Sequence, residues 1–157
     1  MRLIIALAMS MFAGSAFAVP NTDDGLGSSS GFWKDWDLTV RLVSCKPAGD
    51  RHVCEYQIMN QHGIEIGFSS DSAGSEVTSF LITTQGVDDL IFLITAATAI
   101  KAVAPELSPE SREALVKELF RTAMSDGSAE KSESGWSVKI NRVVFGSAWV
   151  AEGRVTD

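Results

Sequence analysis

The segment LIFLITAATAI, residues 90–100, restricts the fold more than any other stretch, because only Thr95 and Thr98 in it are polar. Asp88 and Asp89 stand just before it, where carboxylates cap free N–H groups and suit the positive end of a helix dipole. No Gly or Pro interrupts residues 90–103, and Pro105 then stops a helix. These signals predict a helix over 90–103 with one narrow polar stripe at Thr95, Thr98 and Lys101. A helix that is apolar on every other side is buried nearly all round. The uncharged run is about half of the roughly 20 residues that a bilayer crossing needs, so it reads as a core helix and not as a span. A second use of the same surface is an apolar ligand or lipid site, with Leu90, Leu93, Ile94 and Ala97 as its wall.

A buried helix needs other elements to cover it, and the flanking sequence supplies them. Trp36, Leu38, Val40 and Leu42 alternate with Asp37, Thr39 and Arg41, the period of two of a half-buried strand. Residues 53–59 read as a second strand with Cys54, Tyr56 and Ile58 on one face. The stretch NQHG turns the chain into a third strand carrying Ile64, Ile66 and Phe68, and residues 77–84 make a fourth. Short loops and alternation indicate an antiparallel meander with one covered face. After the apolar helix, Ser108 and Pro109 open a second one, as N-cap and favoured first residue. Its apolar face is Leu115, Val116, Leu119, Phe120, Ala123 and Met124. Its wet face is Glu110, Arg112, Glu113, Lys117 and Arg121, and Asp126-Gly127 ends it. SDGSAEKSESG, residues 125–135, reads as a polar loop, followed by alternation at Trp136, Val138 and Ile140 and a last strand over 147–155. The expected fold is a single α+β domain over residues 32–157. It has a mostly antiparallel sheet, ordered as four strands, a helix pair, and one or two strands, with the αα-hairpin packed on one face.

The first 18 residues, MRLIIALAMSMFAGSAFA, have a basic start, a short apolar run and a small-x-small end, the pattern of a secretory signal peptide. Residues 19–31 are Ser, Gly and Asp-rich and read as a flexible tail. The expected location is therefore periplasmic or secreted, with no membrane span after cleavage. In such a compartment Cys45 and Cys54 form a disulfide. The stretch between them, KPAGDRHV, holds turn residues, so the bridge should join neighbouring strands at a hairpin. A redox pair would want C-x-x-C at a helix start, which this spacing lacks.

The formal net charge of −7 repels phosphate backbones and anionic lipid, so nucleic acid is not an expected partner. His52 and His62 both lie in turns and are expected to be exposed. A metal site would need them to converge with Asp50 or Glu65, and no ligand spacing supports that, so no metal or cofactor is expected. No nucleophile elbow or phosphate-cradling loop is present. Asp88 and Asp89 are explained by helix capping better than by acid/base pairing with Glu76 or Glu106, which needs carboxyls about 5–10 Å apart across a substrate. Phe32 and Trp33 either staple the tail to the domain or offer an aromatic anchor to a partner, with the staple preferred. The expectation is an exported, non-catalytic binding protein acting by protein–protein contact, such as an inhibitor, an immunity protein or a component of an envelope complex. A carrier of a small apolar ligand is the alternative, and a hydrolase with an unrecognised site ranks last.

Overall fold

The computed structural model describes Trp33 and residues 38–59, 61–143 and 148–157. Seven strands form one antiparallel sheet, and two helices pack on one of its faces. The strands are β1 (Val40–Ala48), β2 (Arg51–Ile58), β3 (Ile64–Ser70) and β4 (Ser79–Thr84), then β5 (Ser128–Glu133), β6 (Trp136–Val143) and β7 (Ala148–Val155). Between β4 and β5 lie α1 (Asp89–Ile100) and α2 (Pro109–Asp126). The spatial order is β1-β2-β3-β4-β7-β6-β5. Two meanders therefore meet in the middle, where β4 pairs with β7 from Ser79↔Arg154 to Thr83↔Val150. The helix pair carries the chain from the centre of the sheet to its far edge, and β5, β6 and β7 fold back.

The expected architecture stands, with four local differences. The first of three strands after the helices, β5, lies in the stretch 125–135, whose sequence reads as loop. It is an edge strand in which only Ala129 is buried, so backbone pairing to β6 holds it and leaves almost no apolar alternation to read. The second difference is at β1. Val40 is buried as its phase requires; Leu42 keeps that phase opposite Tyr56 but is 39% exposed on this edge strand, and a β-bulge between Leu42 and Ser44 then shifts the register before Cys45. β1 also runs through Pro47, which an edge strand tolerates because one side of its ladder has no neighbour. Trp36, expected on the core face, lies outside the described residues.

The third difference concerns α1. Asp88 accepts from the Leu90 N–H at 2.7 Å, as capping requires. The polar stripe is not wet, however: Thr95 and Thr98 are fully buried. Their hydroxyls donate to the Ile91 and Ile94 carbonyls at 2.7 and 2.9 Å, so the helix satisfies them itself and the pair can face the interior. The helix end that reaches solvent is Leu90, 61% exposed. In α2, Ser108 accepts from the Ser111 N–H at 3.2 Å, and Gly127 takes the left-handed C-cap conformation at φ +83°. Glu113 and Lys117 pair across one turn. Arg112, expected on the wet face, is the fourth difference. It is 1% exposed, and its Nη1 donates to the Ala97 carbonyl of α1 at 3.4 Å. The guanidinium bridges the two helices where a carbonyl is open to it.

Two aromatic clusters anchor the core. Under the helices, Trp149 of β7 packs against Phe92 and Phe120, with ring centroids 5.7 and 4.4 Å apart, and its Nε1 donates to Asp89 at 3.0 Å. On the other half of the same face, Phe68 meets Tyr56, Phe80 and Trp33 at 5.7, 6.3 and 6.1 Å. Phe80 lies flat over Gly153, its cross-strand partner, where any Cβ would overlap the ring. Gly153 thus marks a close approach and not a flexible point.

Candidate functional site

Strand alternation that buries one face of the sheet turns the intervening residues to the other. Phe80, Ile82 and Thr84 are buried, while Leu81 is 48% exposed. The outward face curves into an open groove of about 1110 Å³ that spans β2, β3, β4, β7 and β6. Its middle row follows the pairing register from Glu55 through Gly67, Leu81 and Glu152 to Lys139 and Glu130. Gly67 has no side chain and meets only the Leu81 carbonyl, at 3.9 Å from where a Cβ would sit. Leu81 therefore stands beside a gap at the centre of a polar surface.

Around that centre the charge is uneven. Glu55, Glu65, Asp71, Glu130 and Glu152 line the groove, against Arg51, Lys139 and Arg154. Lys139 is already paired with Glu152 at 3.9 Å, and Arg51 donates to the Ser79 hydroxyl at 3.3 Å. Ser69 and Ser79 share a hydrogen bond of 2.5 Å across β3 and β4, and Ser137 donates to Glu130 at 2.9 Å. Hydrogen bonding from Ser44, helped by the charge of Lys46 at 3.5 Å, holds the Glu55 carboxyl below the usual glutamate range. The surface is thus net negative, with Leu81 as the apolar residue at its centre.

The residues singled out from sequence fall elsewhere. Cys45 and Cys54 are bonded across the paired strands β1 and β2, with Cα atoms 4.1 Å apart. His52 is half-buried, not exposed, because it lies within β2 and not in the turn. Its ring stands beside the disulfide, and the donor atoms of Cys45, His52 and Cys54 all lie within 4.8 Å of one another. His62 is exposed and borders a small depression of about 160 Å³ with Arg41, Gln57 and Met59. Trp33 is 1% exposed and its ring meets Phe68 edge-on, so as placed it offers no surface to a partner; Phe32 lies outside the described residues. Of the four residues proposed as an apolar wall, Leu90 is exposed, Leu93 and Ile94 are half-buried and Ala97 is buried, and none of them lines the groove. Among the described residues no helix is long and apolar enough to cross a membrane.

The groove itself was not singled out from the sequence. Its signal lies in the positions between the core residues, where Val53, Leu81 and Val155 interrupt an otherwise polar set. Comparison with protein-family models, curated proteins and solved structures finds no match.

Proposed function

We propose that the chain is an exported, non-catalytic binding protein that holds a protein partner against the outward face of its sheet. The observation that carries this reading is the open groove of about 1110 Å³ with half-exposed Leu81 at its centre and acids outnumbering bases around it. A groove this open suits a protruding protein segment better than an enclosed small molecule, since small-ligand sites bury most of their ligand. An apolar side chain set in the gap at Gly67 would be the anchor, in the manner of interface hot spots, and basic residues would meet the acidic surround. The net charge of −7 points the same way, because it steers a basic partner in and repels an acidic one.

The test uses two matched surface variants. Leu81→Lys alters the groove centre, and Met124→Lys alters an equally exposed apolar residue, 44% exposed on α2. A partner recovered by the wild-type chain should be lost with Leu81→Lys and retained with Met124→Lys. Equal recovery by both variants refutes the groove as the contact surface.

A further inference from the structure

Outside the groove, the fold assembles one cluster of metal-binding side chains among the described residues. Cys45 and Cys54 face each other across β1 and β2, and His52 precedes Cys54 by two residues, which puts it on the same face of the strand. The two sulfurs and one imidazole nitrogen lie within 4.8 Å of one another. In the disulfide state the sulfurs are bonded to each other and cannot act as thiolate ligands. Once the bond is reduced, the same backbone positions present two thiols and an imidazole.

We propose that Cys45, His52 and Cys54 form a redox-gated site for a thiophilic d10 cation such as zinc(II), closed by the disulfide and opened by its reduction. A tetrahedral zinc site has Zn–S near 2.3 Å and Zn–N near 2.0–2.1 Å, which spaces its donors roughly 3.6–3.8 Å apart. The sulfurs must therefore separate by about 2 Å and the imidazole must close by about 1 Å. Side-chain rotations suffice for this, since the β1–β2 pairing holds the two Cys backbones in place. Cys54 is fully buried while His52 and Cys45 are partly open, so water can complete the fourth position from the open side.

The chemistry balances. A dithiol reductant of the thioredoxin class gives two electrons and two protons to the Cys45–Cys54 bond and becomes a disulfide itself. Each protein thiol then loses its proton to solvent as a Zn–S bond forms, and His52 binds as neutral imidazole. Two thiolates cancel the charge of the dication, which suits a half-buried position. Metal binding in turn protects the thiols and slows return of the disulfide. None of the three ligands lines the groove, so this proposal and the partner-binding reading stand or fall separately.

The test is titration of the full chain with zinc chloride, oxidised and reduced, in competition with a chromophoric chelator. Cobalt(II) serves as a spectroscopic probe. The expected result is one equivalent bound by the reduced protein alone, with sulfur-to-cobalt charge-transfer bands and tetrahedral cobalt absorption. His52→Ala should weaken zinc binding by at least about tenfold, more than the loss of a supporting group around a metal costs at minimum. Equal affinity of His52→Ala and wild type, binding by the oxidised chain, or binding no better than that of the Cys45→Ser/Cys54→Ser variant each overturns the proposal. Should reduction unfold the chain, zinc must restore the far-ultraviolet circular dichroism of the folded protein in wild type and not in His52→Ala. Absence of that difference also overturns it.

Discussion

Replacing both half-cystines, Cys45→Ala with Cys54→Ala, isolates what the staple does for the fold. The bridge closes a loop with a sequence separation of 9, and the chain-entropy model gives about 2.7 kcal/mol for a loop of that size. Cys54 is also fully buried, and trading its sulfur for a smaller group adds a transfer and cavity cost of about 0.5–1 kcal/mol. The sum, about 3–4 kcal/mol, is smaller than the roughly 5–15 kcal/mol stability typical of native domains, so the variant should still fold. At about 4 °C per kcal/mol the melting temperature should fall by about 12–16 °C. Urea unfolding followed by tryptophan fluorescence and circular dichroism reads both the midpoint and the slope. The slope should rise, because an uncrosslinked unfolded chain exposes more surface. β1 is an edge strand paired only to β2, so amide exchange in β1 and β2 should also separate: β1 opens locally, while β2 keeps its β3 neighbour. A loss below about 1 kcal/mol would refute the entropy argument. A fall in protection spread equally across the sheet would refute the assignment of the effect to one edge.

Three further outcomes follow from the packing and the charges. Gly153→Ala should destabilise by about 1–3 kcal/mol through overpacking against Phe80, and Phe80→Leu in the same chain should recover part of that in denaturant melts. Arg112→Ala should cost several times more than Arg121→Ala, about 2–4 kcal/mol against less than 0.5, because the first is buried between the helices and the second is on the surface. Glu55 and Glu110 both titrate below ordinary glutamate, Glu55 chiefly through Ser44 and Glu110 through its own backbone N–H and then Ser108. A depressed folded-state value contributes stability above the unfolded value near 4.3, and that stability is lost as pH falls through the folded value. Proton-detected carboxyl titrations should therefore place both groups below the ordinary glutamate value, and Ser44→Ala should raise Glu55 towards it.

Much of this architecture could be read from spacing alone, and the failures have identifiable causes. The apolar run at 90–100, the Ser108-Pro109 start and the Asp126-Gly127 end are local signals, and α1 and α2 follow them within a few residues. Six of the seven strands are legible as alternating or β-rich runs: β2, β3, β4, β6 and β7 carry core residues at alternate positions, and β1 shows its phase only at Val40. β5 was invisible because an edge strand is recruited by its neighbour's backbone and not by its own side chains. Arg112 and the two threonines misled for one reason: a polar side chain reads as wet unless its partner is known, and those partners are backbone carbonyls that only the folded helices bring into range. The disulfide was legible because its two residues are close in sequence. The groove was not, since it depends on the curvature of the sheet and on which strand β7 joins, a pairing between residues some 70 positions apart. The proximity of His52 to the sulfurs was missed for a smaller reason, the extension of β2 back to Arg51.

The central claim is that the outward sheet face is the contact surface, and site-specific photo-crosslinking tests it most directly. A photoreactive phenylalanine analogue is placed at Leu81, at Val53 on the same face, and at Met124 on α2, and cells producing the chain are irradiated. The account predicts one and the same protein adduct from positions 81 and 53, none from 124, and loss of that adduct as ionic strength rises, because acidic groups hold a basic partner. An adduct formed equally from Met124, or from Met124 alone, would contradict it.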